Sequence, residues 1–362
     1  MPPDDDALDQ RRATVRRRRL VAILVAVVAA LGVTAVVVFA LPTSQRVVVV
    51  KVVKKAPPTA PTSATGDGRV SPYAPSDAQV AQELKQTEAA STGGTETGST
   101  AGVLDRGADA SFAQLNRTLP EQVQIAVLPL NSYHVQTLGG DVPAHGWSTT
   151  KVPVLAALLK ARGSRGLTSS EGASARSAIT ASSNQSILNL FADLKQIKGG
   201  LGGASGYIED LFRLSGDQQT VVATAPPPPG AVTTFGQTEW SPAASVRFMS
   251  ALGRGCLLSS AKSSYILGLM QEIEASENWG LGSAGFSSVA FKGGWGPERS
   301  GDYLVRQVGI VNVASSRAVA VAIVATPSGS FAAGTETLNR AALWLRHHLR
   351  PKSGANASCQ SH

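Results

Sequence analysis

The chain has 362 residues, 43% of them hydrophobic but only 5% aromatic, and a formal net charge of +8. That length suits one large domain or two smaller ones, and the composition supports an aliphatic, alanine-rich core. Six arginines fall between Arg11 and Arg19, directly before an apolar run. In that place they read as a membrane-topology signal rather than a nucleic-acid-binding arm.

Residues 1–19 read as a basic cytoplasmic N-terminus. The 22 uncharged residues Leu20 to Leu41 are long enough to span a bilayer as a signal-anchor. The arginines before them place the N-terminus in the cytoplasm and the rest outside. Arg46, Lys51, Lys54 and Lys55 weaken that asymmetry without reversing it. Residues 42–105 are rich in Pro, Thr, Ser and Gly and read as a disordered stalk, because they bury too little apolar surface to offset ordering entropy. The valine cluster 46–53 is read either as a short strand or as juxtamembrane chain.

A folded domain is predicted over 106–350. Gln122 to Leu130 reads as a strand, followed by a turn and a returning strand from Tyr133 to Gly140. A helix follows from Ser148 to Gly163, then a single helical region from Ser174 to Leu194. A glycine-rich link and a short helix fill 199–216. The loop from Thr224 to Trp240 contains four consecutive prolines, which neither a helix nor a central strand accepts. Ser241 caps a helix with Pro242 at its first position, and another helix covers 259–274. Strands follow at 288–296, 303–314 and 317–327, then a closing helix at 335–349. Strands at both ends around a helical middle give an α/β (α+β) fold in which the terminal segments share one sheet. Residues 351–362 read as a flexible tail.

Three short patterns carry chemistry, and each has a decoy. Ser148-Thr-Thr-Lys151 puts a hydroxyl and an amine one turn apart at the front of a buried helix, whereas Ser259-Ser-Ala-Lys262 reads as a helix cap. Ser182-Ser-Asn184 lies at the edge of a helical region, with Ser276-Glu-Asn278 as its decoy. Lys292-Gly-Gly294 ends a strand, with Lys198-Gly-Gly200 as its decoy in a glycine-rich loop. Order and setting separate the set Ser148, Lys151, Ser182, Asn184 and Lys292 from these decoys.

In this order the chain resembles the penicillin-recognising serine hydrolases, the class A β-lactamases and D-Ala-D-Ala peptidases, over about Gln122 to Leu349. The motifs that carry the resemblance are "STTKVPVLAALL", "ITASSNQSILNL", "TEWSPAASVRFMSAL" and "FKGGWG". It implies a β-lactamase/transpeptidase-like sheet with flanking helices. It also implies Ser148 as nucleophile, Lys151 as its base, and Ser182 and Lys292 as aids to proton transfer and substrate binding. Chemistry supports those roles independently. A serine hydroxyl attacks poorly until a base takes its proton. A lysine is a base only when neutral, which needs burial or a nearby cation, and Lys292 would be that cation. Asn184 would hold Lys151 or a substrate amide. Beside Gly294, the backbone N–H groups of Ser148 and Trp295 would form an oxyanion hole. No metal or other cofactor is implied.

Three departures limit what the resemblance carries over. Gly293 replaces the hydroxyl residue that helps hold a substrate carboxylate. Arg299 and Arg306 are candidates for that contact, against the commoner fate of a solvated charge. The loop Gln218 to Gln237 contains no acid. Glu239, just beyond it, reads as a helix cap or a surface pair, so an acyl-enzyme would hydrolyse slowly. Ser148 and Ser182 are only 34 residues apart, which implies a trimmed helical subdomain and puts the placement of Ser182 in question.

His134, His145, His347 and His348 offer no triad or metal set by spacing, and His145 has no evident acid partner. Trp279 and Trp295 read either as cleft lining or as core. Cys256 and Cys359 lack metal or CxxC spacing, and the sequence leaves their pairing open. Two readings stand. The first is a membrane-anchored extracytoplasmic serine hydrolase acting on a cell-wall peptide or a β-lactam-like amide or ester. The second is a non-catalytic domain on the same fold that binds peptidoglycan or a protein partner. Neither involves nucleic acid, and the oligomeric state is open.

Overall fold

A computed structural model describes residues 102–140, 144–298 and 302–359. The expected cytoplasmic segment, the span Leu20 to Leu41, nearly all of the stalk, and Arg299 lie outside the described residues. Among the described residues no helix is long and apolar enough to cross a membrane.

The frame is a five-stranded antiparallel sheet of order β2-β1-β5-β4-β3. Its strands are β1 (Gln122–Pro129), β2 (Gln136–Leu138), β3 (Val289–Pro297), β4 (Tyr303–Val311) and β5 (Val319–Ser328). The pairing of β1 with β5 joins the two ends of the domain in one sheet, as the sequence order implied. Helices cover both faces, so the strands read as nearly unbroken apolar runs. Alternation still shows in β5. Val319, Val321, Ile323 and Ala325 enter one core, and Ala320 and Ala322 enter the other. The small alanines let α6 (Pro242–Gly253) lie close to the sheet.

On the opposite face lie α1 (Ala108–Thr118) and α8 (Phe331–His348). Sequence reading assigned no helix over α1. It is held by Phe112 edge-on to Trp344, with ring centroids 5.1 Å apart. His348 adds a hydrogen bond to Asp105 at 2.8 Å. The remaining helices are α2 (Lys151–Arg162), α3 (Ser169–Thr180), α4 (Asn184–Lys198), α5 (Leu201–Leu214) and α7 (Ser260–Gln271). Here α3 starts earlier than expected. Thr168 and Glu171 form a capping box, and that T-x-x-E signal was present in the sequence. The single helical region expected over Ser174 to Leu194 is two helices, broken at Ala181–Ser183. The link expected before α5 is mostly helical, through Gly202, Gly203 and Gly206. The N-cap at Ser241 is observed, its hydroxyl accepting from the Ala244 amide at 3.1 Å.

The expectation of a flexible tail is corrected for residues 351–359. Cys256 and Cys359 form a disulfide. The Ala357 amide donates to the Leu130 carbonyl at 2.8 Å, and the Gly354 amide to the Ser316 carbonyl at 3.1 Å. Tyr133 donates from its hydroxyl to the Ser358 carbonyl at 2.6 Å. A polar, charged segment looked mobile because its partners lie far away in sequence.

The disulfide closes a loop with a sequence separation of 103. In the chain-entropy description that removes about 5 kcal/mol of unfolded-state freedom. We expect Cys256→Ser with Cys359→Ser to lower the denaturant unfolding free energy by roughly that amount under oxidising conditions. A loss below about 1 kcal/mol would show that the tail is held by its hydrogen bonds alone.

Candidate active site

The site forms where β3, the start of α2 and the break between α3 and α4 meet. Ser148 sits in a 3-10 turn, Trp147–Thr150, that runs directly into α2 at Lys151. With three residues per turn, that geometry places positions 148 and 151 on one side. The turn is pinned by its own hydroxyls. Thr149 and Thr150 donate back to the carbonyls of Gly146 and Trp147 at 2.5 and 2.6 Å. Trp147 itself has a left-handed backbone, φ 45°. Its indole donates to Glu298 at 3.0 Å, and the same carboxylate takes His145 at 2.5 Å. His145 therefore does have an acid partner, one that lies 153 residues away, beyond any local spacing rule.

Lys151 is fully buried. Its Nζ donates to the Ser182 hydroxyl at 3.1 Å and to the Ser182 carbonyl. Ser182 can accept both because it occupies the break between α3 and α4 with φ 54°. There the next residue, Ser183, caps α4 by accepting from the Ser186 amide at 3.2 Å. The short spacing between Ser148 and Ser182 thus leaves Ser182 against Lys151. Asn184 is the first residue of α4 and is exposed, so the Lys151 amine is held by Ser182 rather than by Asn184.

Lys292, on β3, is also fully buried, and its Nζ meets the Glu277 carboxylate at 3.0 Å. Burial pulls the Lys292 pKa below its ordinary value and Glu277 opposes that pull. Burial, reinforced by the Lys292 charge, lowers the Lys151 pKa from 10.5 to about 7, with Glu277 opposing. Sequence reading missed Glu277. It is the middle residue of the decoy Ser276-Glu-Asn278. The signal available was chemical: a buried lysine on a strand needs a counter-charge. Tertiary bonds deliver it. The Glu274 amide donates to the Thr180 carbonyl at 3.0 Å, beside the helix break. Gln307 on β4 takes the Leu281 amide and donates to the Trp279 carbonyl, both at 2.7 Å.

The glycines of β3 are dictated by close approach. A Cβ at Gly294 would lie 2.9 Å from the backbone nitrogens of both Ser148 and Thr149. At Gly296 it would enter the Trp147 ring. On the other face a Cβ at Gly293 would come within 2.7 Å of the Trp279 ring. The space for the expected hydroxyl residue is therefore filled by an indole. Trp279 is buried in the core, while Trp295 is half-buried and lies tilted against Phe331, with ring centroids 4.7 Å apart.

Arg306 supplies neither a substrate contact nor a solvated charge. It is fully buried and donates to the carbonyls of His145 and Trp240 at 3.1 and 2.8 Å and to the Ser245 hydroxyl at 2.8 Å. Burial lowers its pKa to about 9, against the pull of Glu298. Glu239 is exposed and does not cap α6, since Ser241 does; its backbone bridges His145. The decoy lysines have structural roles. Lys262 donates to the Leu159 and Gly163 carbonyls at the end of α2, at 2.8 and 2.6 Å. Lys198 lies over the Tyr207 ring. Among the described residues no group of His, Cys, Asp and Glu is arranged to hold a metal ion.

No family model matches the chain, and no curated protein matches it. Solved structures do. The TLA-1 extended-spectrum β-lactamase superposes with a TM-score of 0.54 at 16% identity, covering 66% of this chain and 96% of that one. The protein PBP-A superposes with a TM-score of 0.52 at 19% identity, covering 67% and 95%. The chromosome-encoded β-lactamase of Vibrio parahaemolyticus gives 0.50 at 15% identity, covering 66% and 98%. The described domain therefore shares the fold of these solved β-lactamases and of PBP-A, at 15–19% identity.

The two lysines make a measurable pair. We expect the Lys151 amine to titrate near 7 by NMR of isotopically labelled lysine. In Lys292→Met the midpoint should rise, because a neighbouring cation is lost and the Glu277 charge is left unopposed. An unchanged midpoint would mean that burial alone sets it.

Proposed function

We propose that this protein is an extracytoplasmic serine hydrolase that acylates Ser148 with a cell-wall peptide or a β-lactam-like amide or ester. Its N-terminal apolar segment would hold it in the membrane with the N-terminus cytoplasmic. The observation that carries this reading is the buried Lys151, one 3-10 turn beyond Ser148 and hydrogen-bonded to the Ser182 hydroxyl. A lysine with an exposed ammonium could not act as a base at neutral pH; one that titrates near 7 can.

In the proposed reaction neutral Lys151 takes the Ser148 proton as Oγ bonds to the substrate carbonyl carbon. The carbonyl electrons move onto oxygen, which the backbone N–H groups of Ser148 and Trp295 receive. The carbon–nitrogen or carbon–oxygen bond then breaks. The departing atom takes a proton through the Ser182 hydroxyl, which Lys151 replenishes. Lys292, kept charged by Glu277, favours the neutral form of Lys151. Asn184, exposed at the start of α4, would meet a substrate amide. The loop 218–237 has no acid to activate a water, so the acyl-enzyme is long-lived.

A second reading, a binding domain with impaired catalysis, is favoured by the Trp279 ring at Gly293 and by that same acid-free loop. Labelling of the full chain with a fluorescent penicillin separates the two. We expect a band that persists for hours, is lost in Ser148→Ala and is retained in Ser259→Ala. Gly294→Ala should weaken it by about tenfold or more, because the Cβ displaces the Ser148 amide. No band from protein that is folded by circular dichroism would support the binding domain instead.

A further inference from the structure

A serine, a histidine and an aspartate meet outside the site described above, where the start of α1 reaches the end of α8. The His348 Nδ1 atom lies 2.8 Å from an Asp105 carboxylate oxygen, and its Nε2 atom lies 3.2 Å from the Ser111 hydroxyl. By spacing His348 offered no triad, because these partners are 243 and 237 residues away. None of the three belongs to the segments that meet at Ser148.

The neighbours fix where the protons go. An indole N–H can only donate, and Trp344 donates from Nε1 to the Ser111 oxygen at 3.0 Å. The Ser111 proton is therefore left for His348 Nε2. An ionised carboxylate only accepts, so in the neutral ring Nδ1 carries the proton toward Asp105 and Nε2 is the acceptor. The ring is also held by stacking on Trp344, with centroids 4.5 Å apart. Arg350 meets the second Asp105 oxygen at 3.2 Å. These are the hydrogen bonds of a nucleophile, its base and a carboxylate that orients the base.

The cluster reaches the surface. The Asp105 side chain is 26% exposed and that of His348 10%. Ser111 is half-buried, and Gly107 and Ala110 in the turn before it are exposed and carry no bulk. Gly107, with φ 86°, has no side chain to cap the first amides of α1. Such amides are ready donors to an oxyanion.

We propose that Ser111, His348 and Asp105 form a second site, one that hydrolyses small carboxylic esters, since only a compact acyl group can approach a half-buried hydroxyl. Ser111 Oγ bonds to the ester carbonyl carbon as its proton passes to His348 Nε2. The carbon–oxygen bond to the alcohol breaks, and the alcohol leaves with that proton. Water then adds to the acyl carbon and gives a proton to Nε2. The bond to Oγ breaks, Ser111 takes that proton back, and the carboxylic acid departs. Asp105 orients the ring and offsets its charge while it is protonated. Nothing in this sequence needs Ser148.

The test uses the full chain in detergent micelles carrying Ser148→Ala, which removes the other nucleophile. A fluorescent fluorophosphonate, which modifies serines activated by a base, should form an adduct on Ser111 that mass spectrometry maps to its peptide. Hydrolysis of p-nitrophenyl acetate should fall about a hundredfold or more when Ser111→Ala is added. His348→Gln keeps a polar side chain but no base, and should cause a similar loss of both signals. An unmodified Ser111 in protein folded by circular dichroism would overturn the proposal and leave the cluster a clasp between α1 and α8. Hydrolysis unchanged by Ser111→Ala would overturn it equally. Penicillin labelling reads Ser148 alone, so its failure and the failure of this proposal are told apart.

Discussion

Two buried ammonium groups cannot both stay charged side by side without a counter-ion, and the centre of this domain is organised around that constraint. Lys292 has one, Glu277 at 3.0 Å. Lys151 instead donates to the neutral oxygens of Ser182. The asymmetry divides the roles: a paired lysine that can remain a cation, and an unpaired one driven toward the free amine. Removing one member of a buried ion pair usually costs about 3–5 kcal/mol, because the other charge is stranded. The pair is thus structural as well as electrostatic, tying the segment that carries Glu277 to β3.

The surrounding fold brings three distant segments to within van der Waals distance of one another. Gly294 and Gly296 allow β3 to lie against the Ser148 turn, where a Cβ would meet backbone nitrogen at the first and the Trp147 ring at the second. The left-handed Trp147 and Ser182 turn the chain at the two places where side chains must face the centre. Such conformations are uncommon for residues other than glycine and persist where surrounding contacts hold them. Glu298 supplies one such hold by gripping both His145 and Trp147. Arg306 supplies another. Its buried guanidinium fastens the strand pair 144–146 and 238–240 to β4 and α6.

Two expectations drawn from the resemblance fail on β3 and β4. Trp279 occupies the side of β3 on which a hydroxyl residue was expected, and Arg306 is committed to backbone carbonyls. Neither change touches the Ser148, Lys151 and Ser182 cluster. Trp279 and Arg306 are therefore committed to packing and to backbone carbonyls, while Lys151 keeps its hydrogen bond to the Ser182 hydroxyl.

Local chemistry in the sequence determined a good deal. The three-residue step from Ser148 to Lys151, the Ser241-Pro242 helix start and the alternating strands all follow from helical and strand periods, which act over a few residues. The α/β architecture followed from the order of those elements. What only the tertiary structure decided were contacts between residues far apart in the chain. They include Glu277 with Lys292, Glu298 with His145, Cys256 with Cys359, and the fate of Arg306. The break at Ser182 was also hidden, because apolar period alone carries a helix straight through Ala181–Ser183. No spacing rule encodes such pairs. Charge compensation and close packing select partners by distance in space, and that distance exists only once the sheet has closed.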